Sequence, residues 1–399
     1  MFKSIHRLLN KSEVNLLYTM INLNNVDSYK KIKLAIKYPT TSLNILSDFC
    51  RKIFLNQKIT PFPRYIALYV TNRCNLNCPM CVNSSYRAKH LKQSEINLNL
   101  IKKILPELKK YKPFVVMSGG EPLINHDIFK IISLLSANKI LTSLTTNGFV
   151  LEKYVKQIVN SRLEFITISL DHFEEEKHDQ GRGVKTTYRR LIKGLNKLVV
   201  IRDREGTPTN IKVNTVIRKD NYRDLSKMYD FIEKLKIDEW ALQHYSFINP
   251  VARKVINNYV SKNHIGNYII GAEINSKSFF SKNQIGILQD QLNDIAKKSK
   301  YYKTRLSIKP NVDDLFSYYQ GDFASKKSYC SWPFDSINIM ESSKVTLCLG
   351  NEIGNLKSSH SINDMWQSQK ANDFRELIIK EKVLPLCFRC CAMNYVFDK

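Results

Sequence analysis

The sequence lacks any long hydrophobic run. Its 399 residues are 43% hydrophobic, yet no stretch approaches 18 uncharged apolar residues, roughly the length of a membrane-spanning helix. The N-terminus also lacks a short apolar core followed by a small-residue cleavage site, which would mark a secretory signal. We therefore expect a cytoplasmic protein. In that reducing compartment, its nine cysteines would serve metal ligation instead of disulfides.

Acidic residues are few compared with basic ones. The chain has 36 Asp and Glu against 62 Lys and Arg, a formal net charge of +26. Such an excess is compatible with an anionic partner, for example RNA, a lipid surface or a phosphorylated substrate. A composition rich in Lys, Asn and Ile is the alternative explanation. Because neither an arginine-rich tract nor an aromatic RNA-binding signature is present, we do not expect a nucleic-acid partner.

The first 60 residues contain no alternating strand pattern. Apolar residues recur there at spacings of three and four, which predicts helix: Leu43, Leu46, Phe49, Ile53 and Phe54. Lys and Arg outnumber Asp and Glu in this stretch by ten to three. We expect a basic helical extension over residues 1–61. It either packs on its own domain or contacts an anionic membrane surface peripherally.

Three cysteines spaced CxxxCxxC follow the apolar run 65–70, which predicts a β-strand. They form the stretch Cys74-Asn-Leu-Asn-Cys78-Pro-Met-Cys81. Three thiolates on one short loop can hold three corners of a cubane iron–sulfur cluster, which ordinarily has four protein ligands. The spacing therefore predicts a cluster with one iron open to a ligand that is not protein.

Residues 62–325 alternate between extended apolar runs and amphipathic helical runs. The predicted strands are 65–70, 114–118, 141–145, 165–170, 211–217 and 240–246. Strand–helix alternation predicts a parallel sheet, and six units are too few for a closed eightfold barrel. We predict an open, partial (β/α)6 TIM-like barrel, with ligands at the carboxyl ends of the strands.

Glycines and polar residues lie at those strand ends. They are Ser118-Gly119-Gly120-Glu121, Thr145-Thr146-Asn147-Gly148, Ser169-Leu170-Asp171 and, inside the fifth strand, Asn214. Two adjacent glycines let a ligand approach the backbone closely. Together with the cysteine loop, these segments resemble the radical S-adenosylmethionine (radical SAM) superfamily. The resemblance implies that Cys74, Cys78 and Cys81 hold a [4Fe–4S] cluster and that S-adenosylmethionine (AdoMet) binds its open iron.

The resemblance also implies cofactor contacts for nine residues: Met80, Gly119, Gly120, Glu121, Asn147, Ser169, Asp171, Arg182 and Asn214. The Gly-Gly-Glu segment matches the motif that holds the AdoMet amino group. Ser169 and Asp171 resemble contacts to the ribose and the methionine end, and Arg182 could pair with the carboxylate. Met80 stands where the family usually has an aromatic residue, and its thioether can pack against adenine.

A second cysteine set lies in the tail over residues 326–399. Cys330, Cys348, Cys387 and Cys390 supply four thiolates, which would close either an iron–sulfur cluster or a zinc site. The sequence leaves open whether Cys391 replaces one of them. A hairpin over 337–348 and a helix over 362–381 separate the cysteines. With the upstream loop, this tail resembles the SPASM or twitch domain, which implies one auxiliary [4Fe–4S] cluster.

The resemblance implies a radical SAM oxidoreductase-type enzyme. AdoMet would be cleaved reductively, with a flavodoxin or ferredoxin as reductant, and a 5′-deoxyadenosyl radical would abstract hydrogen from substrate. The single-cluster tail resembles that of an aminocyclitol dehydrogenase, so we expect a small carbohydrate-like metabolite as substrate. Modification of a ribosomally made peptide or protein is the alternative. RNA modification and a non-catalytic iron–sulfur or AdoMet-binding module are further alternatives.

Overall fold

A computed structural model describes residues 59–81, 93–263, 265, 271–276, 278–321, 328, 330–348, 350–359 and 361–395. The helical extension predicted for residues 1–61 lies almost wholly outside the described residues, as does its predicted membrane contact. No helix in the described part of the chain combines the length and apolarity needed to cross a membrane.

The strands form one large sheet and two short pairs. They are β1 (Tyr65–Thr71), β2 (Phe114–Gly119), β3 (Thr142–Thr146), β4 (Phe165–Ser169), β5 (Asn210–Val216), β6 (Glu239–Gln243), β7 (Phe247–Ile248), β8 (Ala272–Glu273), β9 (Arg305–Lys309), β10 (Asn311–Val312), β11 (Ser336–Ile339), β12 (Lys344–Thr346), β13 (Glu352–Asn355) and β14 (Asn394–Tyr395). The large sheet runs in the order β13-β12-β11-β1-β2-β3-β4-β5-β6-β9, while β10 pairs with β14 and β7 with β8.

Helices connect the strands of the large sheet. They are α1 (Leu98–Tyr111), α2 (Ile128–Ala137), α3 (Leu151–Asn160), α4 (Glu175–Arg182), α5 (Thr187–Glu205), α6 (Leu225–Lys234), α7 (Pro250–Asn263), α8 (Lys282–Lys298), α9 (Leu315–Gln320), α10 (Trp332–Asp335), α11 (Ile362–Trp366) and α12 (Gln369–Glu381), with short 3-10 turns at Pro122–Ile124 and Pro385–Cys387.

Helix α1 shows how the sequence makes these elements. Asn97 caps its start by accepting a hydrogen bond of 2.9 Å from the backbone N–H of Leu100. Apolar residues on one face, Ile101, Ile104 and Leu108, are buried against the sheet. The helix ends at Lys112, which adopts a left-handed conformation with φ 48°.

The predicted partial barrel is confirmed and extended. Strands β1 to β6 are parallel neighbours in chain order, and β9 continues the parallel sheet beyond β6. At the opposite edge β11 pairs in parallel with β1, and the antiparallel strands β12 and β13 follow it. The predicted tail hairpin therefore exists as β11 and β12, and it belongs to the same sheet as the barrel strands.

Two predicted elements end differently in the structure. The predicted strand 240–246 leaves the large sheet after Gln243, because the next extended segment, β7, pairs with β8 instead. The predicted helix 362–381 is two helices. Ser368 separates them, because its side chain accepts a hydrogen bond from the N–H of Ala371 and starts α12.

Candidate active site

The CxxxCxxC loop follows β1 and is tied to the end of β2. The backbone N–H of Gly120 donates a 2.7 Å hydrogen bond to the carbonyl of Thr71, and the N–H of Glu121 donates a 2.8 Å bond to the carbonyl of Arg73. The first residues of the loop are thus held by backbone contacts with the Gly-Gly-Glu segment, and Cys74 comes directly after them.

Glycine is required at both positions of this contact. A Cβ on Gly120 would lie 1.8 Å from the carbonyl oxygen of Arg73, and one on Gly119 would lie 2.5 Å from that of Thr71. Gly119 also has φ +127°, which other residues rarely adopt. The sequence predicted that the two glycines let a ligand approach the backbone. In the structure they let the cysteine-loop backbone at Thr71 and Arg73 approach the end of β2.

The far side of the loop contacts helix α4 and β3. A Cβ on Gly183, which ends α4 with φ +72°, would lie 2.3 Å from the carbonyl oxygen of Asn77. The side-chain amide of Asn147 donates a 2.8 Å hydrogen bond to Asn75 Oδ1, and its nitrogen lies 3.8 Å from Cys74 Sγ. Three segments distant in sequence thus position the loop.

A cavity of about 290 Å³ lies at the carboxyl ends of the barrel strands, as predicted. All three loop cysteines and six of the nine predicted cofactor residues line it: Met80, Gly119, Gly120, Asn147, Ser169 and Arg182. Most of the remaining lining carries hydroxyl or amide groups, from Ser118, Thr145, Thr146, Gln243 and Ser246. The donor set of the wall, three thiols beside polar groups, fits an iron–sulfur cluster and a polar ligand.

Glu121 does not line the cavity, although its motif does. Its carboxylate is fully buried and accepts hydrogen bonds from the Asn147 N–H at 2.8 Å and from the Thr146 hydroxyl at 2.7 Å. Burial raises the pKa of Glu121, while these bonds oppose the rise. Its side chain therefore positions the end of β3, while Gly119 and Gly120 of the same motif form part of the cavity wall.

Asp171 also lies behind the cavity wall. It is buried, and its Oδ2 lies 2.8 Å from Arg182 Nη2 and 3.5 Å from Arg218 Nη1. Burial opposes ionisation of Asp171, but the two guanidinium groups hold its pKa below the ordinary value. The carboxylate thus orients Arg182, which does line the cavity. The third residue outside the lining, Asn214, lies 3.5 Å from Gln243 through their side-chain amides.

Two residues that were not predicted contribute here: Ser246 lines the cavity, and Arg218 supports its wall. Arg218 Nη1 lies 3.7 Å from the Met80 sulfur, so it connects Asp171 with the cysteine loop. Its position two residues after the end of β5 was a usable signal, because the predicted site residues lie at strand ends. Ser246 and its neighbour Tyr245 were missed because the predicted strand 240–246 placed both residues inside the sheet.

The four predicted tail ligands lie at loops and turns: Cys330 precedes α10, Cys348 follows β12, Cys387 ends the 3-10 turn Pro385–Cys387, and Cys390 follows that turn. Burial raises the pKa of Cys330 to about 12 and that of Cys387 to about 11, so both would remain neutral thiols without a metal. Within the described residues, no three cysteine sulfurs lie within 4.8 Å of one another. Ligation by a metal would deprotonate such thiols.

One other group of potential metal ligands is present in the described chain: His172, Glu174 and Asp224. Lys177 lies 3.1 Å from the Glu174 carboxylate and 3.3 Å from that of Asp224. The N–H of Glu174 donates to His172 Nδ1 at 2.9 Å. Because one ammonium group already pairs with both carboxylates, this group serves to hold the start of α4.

Family comparisons match two parts of the chain. The family model described as Radical SAM superfamily matches residues 68–232, and one described as SPASM, an iron–sulfur cluster-binding domain, matches residues 330–391. These matches cover both cysteine sets.

Curated relatives and solved structures agree with these matches. An AdoMet-dependent heme synthase of Methanosarcina barkeri is 27% identical over 49% of this chain and 53% of its own length. A probable GTP 3′,8-cyclase of Methanosarcina mazei is 33% identical over 45% and 54%. The chain thus spans about half the length of these relatives. Streptococcus suis SuiB bound to its precursor peptide SuiA shares the fold, with a TM-score of 0.59 and 16% identity over 84% of this chain and 71% of SuiB.

Proposed function

Because the chain is a member of the radical SAM superfamily with a SPASM iron–sulfur domain, we propose that it is an enzyme that abstracts hydrogen from its substrate by AdoMet radical chemistry. The observation that carries the proposal is the convergence of three cysteines and six of nine predicted cofactor residues on one cavity. When bound there, a [4Fe–4S] cluster and AdoMet supply a 5′-deoxyadenosyl radical after one-electron reduction.

The chain's own residues hold and orient these groups. We assign Cys74, Cys78 and Cys81 to the catalytic cluster. Arg182, oriented by Asp171 and buried beside Cys78, supplies the cation for the AdoMet carboxylate. Asn147, positioned by Glu121, restrains the first cysteine of the loop.

We assign Cys330, Cys348, Cys387 and Cys390 to the auxiliary cluster. Cys391 is exposed, whereas Cys387 is buried and Cys390 is half-buried, which favours Cys390 over its neighbour as the fourth ligand. The auxiliary cluster would accept an electron from the substrate radical or hold the substrate.

For the substrate, we favour oxidation of a small carbohydrate-like metabolite. Hydroxyl and amide side chains dominate the non-cysteine wall of the cavity, and such groups suit a hydroxyl-rich molecule. The names of the curated relatives also concern small molecules, heme and GTP. A flavodoxin or ferredoxin as reductant, and a peripheral membrane contact of residues 1–61, remain predictions.

A peptide substrate is the second candidate. The fold shared with SuiB over 84% of this chain is the observation that favours it, since that structure holds a precursor peptide. Stimulation of 5′-deoxyadenosine release separates the two. Amino sugars and cyclitols should stimulate release if the first candidate is right, and peptides encoded beside the gene should do so if the second is.

The core of the proposal is tested by 5′-deoxyadenosine release from anaerobically reconstituted protein given AdoMet and dithionite. We expect release by the wild type and none by a Cys74→Ala/Cys78→Ala/Cys81→Ala variant. Cys50→Ala, which changes a cysteine outside both clusters, is the matched control and should behave as wild type. Protein that carries both clusters but neither binds AdoMet nor releases the product would refute the enzyme and leave the non-catalytic module.

A further inference from the structure

The inner face of the barrel carries charge on three neighbouring strands. In register across the parallel sheet, Lys212 of β5 pairs with Glu239 of β6, and Glu239 pairs with Arg305 of β9. Side chains in register point to the same face of a sheet. Four residues further along β9, Lys309 points to that same face and pairs in register with Gln243 of β6, which lines the cavity.

The other barrel strands present no charge to this face. Their inward positions, described throughout, are neutral: Tyr65, Ala67, Tyr69, Phe114, Val116, Ser118, Ser143, Thr145, Phe165, Thr167 and Ser169. Among strands β1 to β6 and β9, the charge on this face is therefore confined to the wall formed by β5, β6 and β9.

This wall has more cations than carboxylates. Glu239 contacts both Lys212, at 2.7 Å, and Arg305, and it also accepts a 2.7 Å hydrogen bond from the Ser307 hydroxyl. No carboxylate of the described residues lies within 4.0 Å of Lys309. The adjacent Asp238 is paired with Arg202 at 2.8 Å. Two of the three cationic side chains thus share one carboxylate, and the third, Lys309, has none of the described chain within salt-bridge distance.

The cations are close enough to repel one another. Burial lowers the pKa of Lys212 to about 8, and Arg305 adds to the effect. Partial desolvation lowers the pKa of Lys309, with the Lys212 ammonium as the next cause. Lys212 and Arg305 nevertheless keep 25% and 19% of their side chains exposed. A ligand can therefore reach them, and an anion would relieve the repulsion.

We propose that Lys309, Lys212 and Arg305 bind an anionic group of the substrate, a carboxylate or a phosphate. This inference rests on the proposed function, because it assumes that the substrate occupies the barrel beside the cavity. Anchoring an anionic group at this wall would hold the rest of the substrate near the C-terminal ends of the strands. The three cations then select for substrates that carry negative charge.

Radiolabelled inorganic phosphate and succinate serve as probes. Their binding to cluster-loaded, AdoMet-bound protein is measured by anaerobic equilibrium dialysis at low ionic strength. We expect one site per chain for at least one anion. Lys309→Met and Lys212→Met should each weaken it by about tenfold or more, because each removes a charged partner of the anion. Lys309→Met breaks no ion pair of the described chain, so we expect little loss of stability from this variant. Lys297→Met, at an exposed position on α8, is the matched control.

Each outcome decides the inference. Binding of phosphate alone identifies a phosphate site, and binding of succinate alone identifies a carboxylate site. Absence of a site in the wild type, or equal weakening by Lys297→Met, overturns the proposal. So does a Lys309→Met variant that alters only the auxiliary cluster's EPR signal, since Lys309 would then merely balance the charge of the tail. Release of 5′-deoxyadenosine, measured on the same samples, shows separately whether the proposed function holds.

Discussion

The hydroxyl of Ser246 donates a hydrogen bond of 2.5 Å to the backbone carbonyl of Arg389. Ser246 lines the cavity beside the cysteine loop, whereas Arg389 lies between Cys387 and Cys390 of the tail. The wall of one site is therefore bonded directly to the cysteine loop of the other. A displacement of the tail loop would move the cavity wall with it.

Arg389 should be essential for the tail site. Its buried guanidinium lies 3.7 Å from the Phe247 ring centre and 3.9 Å from that of Phe388, and it donates to the carbonyl of Tyr318 at 3.0 Å. Arg389→Lys keeps the charge but loses the planar stacking and the second carbonyl contact, a 2.7 Å hydrogen bond to Gly321. We expect about 3 kcal/mol less stability and a fall from about eight irons per chain to about four.

Iron analysis and anaerobic urea unfolding measure both effects. Arg204→Lys, which changes an exposed arginine, is the control and should leave iron content and stability unchanged. Full iron content in Arg389→Lys would contradict the role assigned to this side chain.

Gly120→Ala should prevent assembly of the catalytic cluster. The added Cβ would meet the Arg73 carbonyl at 1.8 Å, and neither backbone can yield without moving the cysteine loop. We expect loss of about four irons per chain and of AdoMet binding, with the auxiliary cluster retained. Gly286→Ala on α8 is the matched control, because its Cβ meets nothing within 4 Å and alanine favours helix by about 1 kcal/mol. Normal cluster loading in Gly120→Ala would show that the loop does not need this contact.

Glu121→Gln should weaken AdoMet binding, although the side chain at this position does not line the cavity. The carboxylate accepts from the N–H groups of Asn147 and Leu123 and from the Thr146 hydroxyl. A glutamine side chain would turn its NH₂ toward one of these donors, which costs about 1–3 kcal/mol of unfolding free energy. AdoMet dissociation constants and urea unfolding are the measurements, with the exposed Glu205→Gln as control. Unchanged AdoMet affinity together with reduced stability would limit Glu121 to a purely structural role.

Acid should destabilise the protein through His244. Burial lowers the pKa of His244 to about 4 from its ordinary 6.5, and its Nδ1 lies 2.9 Å from the Tyr319 hydroxyl. Below pH 6.5 the imidazole of His244 binds a proton in the unfolded chain but stays neutral in the folded chain until the pH approaches 4. The stability due to neutral His244 is therefore complete above pH 6.5 and is lost as the pH falls toward 4.

The expected loss between pH 7 and pH 5 is about 2 kcal/mol of unfolding free energy. His244→Gln keeps a polar side chain that can form a hydrogen bond with the Tyr319 hydroxyl, but it does not titrate. The difference in stability between wild type and variant, measured by anaerobic urea unfolding, should therefore change by that amount between the two pH values. A difference independent of pH would show that His244 titrates normally in the folded chain.

Features that depend only on residues close together in the sequence could be predicted from it. Each of the six predicted barrel strands is a short apolar run of its own. Their ends were therefore predicted to within about three residues. The CxxxCxxC loop carries its chemistry in its own spacing. The glycines at 119 and 120 were recognised as a site of close approach, although the approaching group proved to be the carbonyls of Thr71 and Arg73.

Features that depend on strand order could not be predicted in this way. Glu121 and Asp171 carry charges that suit a cofactor contact, but the tertiary structure turns both carboxylates toward partners within the protein. Pairing of β11 with β1 joins residues more than 260 positions apart, and no local pattern indicates it. Arg218 reaches Met80 only because β5 and the cysteine loop meet at one end of the barrel.

The sequence by itself determined the chemistry of this protein, because ligand type and spacing are properties of short segments. It thereby predicted a cluster loop, a tail with four further thiols and an alternating α/β barrel. Only the tertiary structure decided which predicted residues line the cavity and which support it. It also brought Lys212, Glu239 and Arg305 into one row, because their alignment depends on the register of three strands that lie far apart in the chain.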